Sequence, residues 1–345
     1  WISLINNQLT GATDLSVKTF LIPSFKTQQG ATLDLQLTYV TRGQLSAARD
    51  NVVLVLTSYG AQHGSDGALV ADNQLVDMST KFVIVINMFG NGLSSSPSNT
   101  PSPFDGPRFP VLTIHDNVAC QTLLIRHLGI ECIQLVMGFS MGGLQAFEWA
   151  SQNPDRVDAV LPICSAARVS RHNGVFLGGA KAALEADCAF ADGDYTQPPV
   201  KGLLAFGRVY AGWVFSQTFF REARYQALGL ASVEAVVEFL QAFFMRRDAN
   251  DLLAMLQTWQ LADISANEAY GRNFEAALKA IKARVILLPC ESDLYFTVAD
   301  SALELTHLRN AELRPIVSQM GHFAGGGMDP VGKLSIDQAV ADLVG

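Results

Sequence analysis

Gly138-Phe139-Ser140-Met141-Gly142-Gly143 stands between a short apolar run, Ile133–Met137, and a helix-forming segment, Leu144–Ser151. Its spacing is G-x-S-x-G. In a strand–turn–helix bend the serine takes a strained backbone position, and its neighbours must be small because helix and strand nearly touch. Such a bend lifts the Ser140 hydroxyl above the carboxyl end of the sheet. The helix that follows, opening near Gly143, aims its free N–H groups at the same space. Ser140 reads as a nucleophile. The competing readings are an ordinary glycine turn or a phosphate loop without its lysine.

Outward from this bend, strands alternate with helices. Asn51–Leu56, Phe82–Ile86 and Val157–Ile163 are short Val/Ile-rich runs, as expected of strands covered on both faces. Leu35-Gln36-Leu37-Thr38-Tyr39 alternates at period two and predicts a half-exposed edge strand. Thr113 and Asp116 form a weak capping box for a helix carried by Val118, Leu123, Leu124 and Leu128 and stopped at Gly129. Short cycles of this kind predict an α/β fold with a doubly wound, mostly parallel sheet. The rhythm stops near Ser165 and returns at Arg284–Leu288, with helical patterns between them at Gly202–Phe220, Val233–Met245 and Leu252–Trp259. The chain thus divides into a core, residues 17–165 and 277–345, and a helical cap, residues 166–276. The cap is inserted after the fourth buried strand, over the carboxyl ends where open α/β sheets bind ligands. Asn91–Pro110, dense in Ser, Pro and Gly, reads as a long functional loop.

Composition narrows the function. The 345 residues are 49% hydrophobic and 16% charged, enough apolar matter for a large core and too much for a disordered chain. A net charge of −8 speaks against a basic nucleic-acid face. The longest apolar runs are strand-sized, far short of the roughly 18 residues of a membrane span, which predicts a soluble protein. The five cysteines are scattered, with no C-x-x-C pair, and are expected as free thiols in a reducing, cytoplasmic setting, with no metal site. The chain begins at Trp1 rather than Met, so an upstream segment is expected to be missing and its targeting content is open. No phosphate loop, dinucleotide fingerprint or metal-ligand cluster calls for a bound cofactor.

A serine hydroxyl needs a base, usually an imidazole oriented by a carboxylate. The six histidines are 63, 115, 127, 172, 307 and 322. The order of the motifs resembles that of the α/β-hydrolase fold, in which the acid follows the serine and the histidine comes last, each on a loop after a late strand. Asp293 follows Arg284–Leu288, and His322 follows an expected strand at Glu312–Val317. Asp293 is favoured as the acid over Glu291 and Asp300, and His127 and His307 fall in helical patterns. The oxyanion hole is expected from the backbone N–H of Met141 and from that of Tyr59, within the loop Thr57-Ser58-Tyr59-Gly60. Ser58 and Gly60, on this loop, and His63 just beyond it are candidates for lining the pocket. So is Tyr210, among the cap aromatics, whose other role would be packing.

The match goes further. Gly138-Phe139-Ser140-Met141-Gly142-Gly143-Leu144-Gln145-Ala146-Phe147-Glu148-Trp149-Ala150 resembles the corresponding segment of the homoserine O-acetyltransferase family. So do Phe109-Pro110-Val111-Leu112-Thr113-Ile114-His115-Asp116, Arg247-Asp248-Ala249-Asn250, Asp293-Leu294-Tyr295-Phe296 and Gly321-His322. The resemblance, from about residue 17 onward, implies a helical cap, a tunnel to the active site, a Ser140–Asp293–His322 triad, an acyl-enzyme and a homodimer built from cap helices. One departure bears on substrate. Members acting on homoserine typically carry Asp after the catalytic His, where it helps hold the amino group, and here the residue is Phe323. An apolar ring leaves a buried ammonium unpaired, so homoserine is not the expected acceptor. Phe323 is thus either a pocket wall or core packing. Arg208 resembles the family's tunnel arginine approximately; it binds an acidic group or is a solvated helix residue. Two activities share these residues: hydrolysis of a carboxylic ester, and acyl transfer from acyl-CoA as co-substrate to an alcohol other than homoserine. A non-enzymatic binding protein of the same fold would be expected to lack a triad member.

Overall fold

Apolar runs rich in Val, Ile and Leu make the centre of the sheet. The computed structural model describes residues 16–66, 80–327 and 329–344. Eight strands form one sheet: β1 (Lys18–Lys26), β2 (Thr32–Gly43), β3 (Val52–Leu56), β4 (Phe82–Ile86), β5 (Ile133–Phe139), β6 (Val157–Ile163), β7 (Arg284–Leu287) and β8 (Ala311–Leu313). Their order is β1-β2-β4-β3-β5-β6-β7-β8. β1–β2 and β2–β4 are antiparallel and all other pairs are parallel. Side chains alternate between two cores. Val53 and Val55 of β3 enter one, and Val52, Leu54 and Leu56 enter the other, so both faces are covered and the run reads as continuously apolar.

The strand order reverses at β3, whose two neighbours are β4 and β5. A crevice at the carboxyl ends of β3 and β5 is therefore built into the topology, and Tyr59 and Ser140 both follow those ends. After a single turn, α1 (His63–Asp66), the core helices are α2 (Ile114–His127) and α3 (Met141–Gln152). The capping box at α2 is complete. The Thr113 side chain accepts from Asp116 N–H and the Asp116 carboxylate accepts from Thr113 N–H.

Between β6 and β7 the chain makes α4 (Arg171–Glu185), α5 (Val200–Val214), α6 (Gln217–Arg221), α7 (Val233–Phe244), α8 (Ala249–Gln260) and α9 (Phe274–Ala280). α5 packs against both α4 and α7. The outgoing and returning segments run side by side as a neck: Val169 N–H donates to Ala262 O at 3.0 Å and Ile264 N–H to Ala167 O at 3.1 Å. The core closes with α10 (Val298–Leu305) and α11 (Pro330–Val344). Among the described residues, no helix is long and apolar enough to cross a membrane.

Four sequence expectations need correction. The alternating segment at Leu35–Tyr39 is not an edge strand, because β1, unread in the sequence, covers it. β1 hides because it buries only Ile22 and shifts register between Ile22 and Phe25, with Ser24 at φ 49°. The expected strand Glu312–Val317 is shortened to β8, with Ile316 bridging Cys290 on its own. The Gly202–Phe220 pattern is two helices, because the Ser216 hydroxyl accepts from Phe219 N–H and starts α6 afresh. The helix after Ser140 opens at Met141 rather than near Gly143, so the first-turn N–H groups belong to the residues directly after the serine.

Candidate active site

Ser140 sits between β5 and α3 at φ 55° and ψ −120°, a region that costs a non-glycine residue about 1–3 kcal/mol. The surrounding structure holds it there. Ser140 N–H donates to Ile163 O at 2.9 Å, and its carbonyl accepts the Ser165 hydroxyl at 2.8 Å and Gly143 N–H at 2.9 Å. The glycines are required by contact. A Cβ on Gly138 would lie 2.3 Å from Gly142 C, and one on Gly142 would lie 2.2 Å from Leu56 O. Helix, strand and neighbouring strand end thus meet with no space for a methyl group. Ser140 is buried.

His322 and Asp293 are brought together by the loops after β8 and β7. His322 Nδ1 and Asp293 Oδ2 are 2.7 Å apart and both residues are buried. A carboxylate accepts, so Nδ1 carries the proton and Nε2 is left as a base. Asp293 Oδ1 takes Tyr295 N–H at 2.7 Å and Phe296 N–H at 3.3 Å. The Ser292 hydroxyl joins the two loops, donating to Ser318 O at 2.7 Å and accepting from Gly321 N–H at 3.0 Å. The imidazole packs on Phe139, the residue before Ser140, with ring centroids 4.6 Å apart. Tyr295 meets it edge-on at 4.7 Å. The rival acids are engaged elsewhere: Asp300 caps α10 with Thr297, and Glu291 is exposed.

Met141 supplies a first-turn N–H of α3, which has no intrahelical partner. Tyr59 lies in the turn after β3, closed by Ala61 N–H to Ser58 O at 3.2 Å, with Gly60 at φ 67°. Ser58 is buried in the same turn. Arg247, from the motif noted in the sequence, donates its Nε to Gly60 O at 2.7 Å, and burial pulls its pKa down. The Tyr59 hydroxyl donates to Leu252 O of α8 at 2.9 Å, so the turn is held by the cap.

The other candidates separate. Tyr210 is buried and stacks on Tyr59, centroids 5.7 Å apart, within an aromatic cluster that includes Phe176, Phe206, Trp259 and Tyr295. Phe323 is buried against Phe215 at 5.1 Å. His63 is tied to Asn87, its N–H donating to Oδ1 at 2.8 Å and its Nδ1 lying 3.2 Å from Nδ2. Burial lowers its pKa. The structure thus directs His63 to the end of β4. Arg208 follows the second of its two readings: it is an exposed residue of α5, paired with Glu234 of α7 on a helix face turned to solvent.

Cys164 was missed. It follows β6 directly, at φ 43°, and its Sγ, an Asp293 carboxylate oxygen and a His322 ring nitrogen all lie within 4.8 Å of one another. Burial, followed by the Asp293 charge, pushes its thiol pKa well up, so the thiol stays protonated. The trio has the composition of a metal site, yet the carboxylate already accepts the imidazole and two backbone N–H groups. The available signal was positional: Cys164 closes a buried strand at the sheet's carboxyl end, as Ser58 and Ser140 do.

Comparison with known proteins places this geometry. Residues 52–324 match the family model described as the alpha/beta hydrolase fold. The chain is 36% identical over 313 residues to ethyl acetate hydrolase of Pseudomonas veronii, covering 89% of each. It is 31% identical over 317 residues to homoserine O-acetyltransferase of Trichormus variabilis, covering 86% of this chain and 85% of the other. An acetylester hydrolase from Corynebacterium glutamicum superposes with a TM-score of 0.91 at 32% identity, covering 95% of both chains. The chain belongs to the α/β hydrolase fold family, in the branch shared by these esterases and the homoserine O-acetyltransferases.

Proposed function

We propose that the protein is a serine hydrolase of short-chain carboxylic esters, acetate esters foremost, acting through an acyl-enzyme. The observation that carries this reading is the buried Asp293–His322 pair, 2.7 Å apart, packed against the residue that precedes the strained Ser140. Ser140 Oγ attacks the ester carbonyl while His322 Nε2 takes its proton, and the oxyanion is received by the N–H groups of Met141 and Tyr59. The alkoxide leaves with the proton from His322. Water then gives a proton to His322 and attacks the acyl-enzyme, and the acid departs as Ser140 recovers its hydrogen. These steps use the chain's own residues and water. The named activities of the ethyl acetate hydrolase and acetylester hydrolase relatives support an acetyl group.

Transfer to homoserine is disfavoured by Phe323, whose ring is buried against Phe215 where an ammonium would need a partner. Acyl transfer from acyl-CoA to another alcohol uses the same residues. Mixing enzyme with acetyl-CoA, with and without an alcohol panel, separates the two: thiol release without alcohol supports hydrolysis, and release that depends on alcohol supports transfer. Ser140→Ala is expected to abolish p-nitrophenyl acetate hydrolysis and labelling by a fluorophosphonate; retained labelling would remove Ser140 as nucleophile. The reading also carries a homodimer through the cap helices, whose exposed Val175, Val200 and Val233 belong to α4, α5 and α7. Sedimentation at several concentrations tests it.

A further inference from the structure

Gln121, Gln145 and Trp149 form a chain of polar groups sealed from solvent between α2 and α3. Trp149 Nε1 donates to Gln121 Oε1 at 2.7 Å, and Gln121 Nε2 donates to Gln145 Oε1 at 2.7 Å. Gln145 Nε2 then donates to Thr57 O at 2.9 Å and to Met141 O at 3.2 Å. An indole N–H can only donate and a carbonyl can only accept, so both ends impose the same direction on the chain. Neither amide can flip without leaving buried donors and acceptors unpaired, so the orientation of both is fixed.

The two carbonyls at the end of this chain lie in the two segments that meet the substrate oxygen. Thr57 stands two residues before Tyr59, at the end of β3, and Met141 directly follows Ser140. Thr57 is held on its other sides as well, its Oγ1 accepting Met88 N–H at 2.9 Å and its N–H donating to Ile86 O at 3.3 Å. We propose that Gln145 is a positioning residue that clamps the β3 turn to the start of α3 and thereby sets the separation of the Tyr59 and Met141 N–H groups. This rests on the serine-hydrolase reading above. Oxyanion donors act only when pre-set at about 2.7–3.1 Å from the developing charge, and a misplacement of about 1 Å costs about a hundredfold in rate. Gln145 itself touches neither substrate nor reacting atoms; its amide works through two peptide groups. Methionine would fill its volume and donate nothing.

The test uses the full chain, with p-nitrophenyl acetate as substrate and a trifluoromethyl ketone as the probe that forms an oxyanion on Ser140. Gln145→Met is expected to lower kcat about tenfold to a hundredfold with KM within about twofold, and to weaken the ketone by the same factor as kcat. A packing role alone would not move kcat and ketone affinity together. Trp149→Phe, which keeps an aromatic ring of smaller size and deletes the orienting donor, is expected to give the same paired loss in smaller measure. A folded Gln145→Met enzyme with kcat and ketone affinity both within about twofold of the parent overturns the clamp. If that variant does not fold, Trp149→Phe and Gln121→Met decide, and unchanged values in both overturn it equally. Ser140→Ala in the same assay keeps the two claims apart. Activity surviving there removes the hydrolase reading, whereas full loss there beside an unaltered Gln145→Met enzyme removes the clamp alone.

Discussion

Tyr210 and Tyr295 bury their hydroxyls, and Trp259 its indole N–H, with no hydrogen-bond partner among the described residues. Burial also raises both phenol pKa values well above the usual range, so these groups stay neutral. A buried polar atom without a partner costs about 1–3 kcal/mol, so removing one relieves the fold. Tyr210→Phe is accordingly expected to raise Tm by about 1–4 °C in scanning calorimetry; a lower Tm would mean that the hydroxyl is satisfied in solution. At this scale the sequence was legible where chemistry follows local spacing. Ser140 declares itself through glycines at 138 and 142, and Asp293 and His322 through their places after late strands. Gln145 was quoted in the sequence without a role, because its partners stand 24 and 88 positions away. Arg208 was left with two readings for the converse reason: motif likeness located the helix but not which of its faces meets water.

α3 has no room to spare at its first turn. Because a Cβ on Gly142 would stand 2.2 Å from Leu56 O, Gly142→Ala must push α3 away from β3. It is expected to lose more than about tenfold in kcat or to lower the folded yield, read by esterase assay and far-UV circular dichroism. α10 contributes a pH response. Glu304 is buried, its Oε1 accepts Ala167 N–H at 2.7 Å, and desolvation lifts its pKa to about 8. The ordinary glutamate value, kept in the unfolded chain, is 4.5, so between these two values the folded chain binds more protons than the unfolded one. This group's contribution to stability is complete below the lower value and is lost as pH rises toward about 8. Glu304→Gln is expected to flatten Tm against pH across that window; an unchanged slope would assign the proton elsewhere. The central strands were readable because both their faces are apolar, and the capping box because its residues are three apart. β1 was not, since an edge strand that buries one side chain leaves almost no periodic trace.

Across the whole molecule, the cap reaches the turn after β3 through a few named bonds. Arg247 holds Gly60 O, the Tyr59 hydroxyl holds Leu252 O, and Tyr210 stacks on Tyr59. Arg247→Met is expected to speed amide hydrogen exchange in α7 and α8 by about tenfold or more while leaving β3 and β5 unchanged. Equal acceleration in the strands would mean that cap and sheet open as one unit. The sequence revealed that a helical excursion exists, and its Arg247-Asp248-Ala249-Asn250 motif marked an important place. It did not reveal which carbonyl that arginine holds, because the partner lies 187 positions away.

The neck at Ala167–Val169 and Ala262–Ile264 gives this excursion a modular character. Its exit and return are already stitched edge to edge, while the residues proposed for bond-breaking all hang from the sheet outside it. A foreign helical cassette spliced at that seam would inherit the proposed nucleophile, acid and base and bring its own selectivity, and to keep how the enzyme reacts it would have to supply new partners for Gly60 O and the Tyr59 hydroxyl.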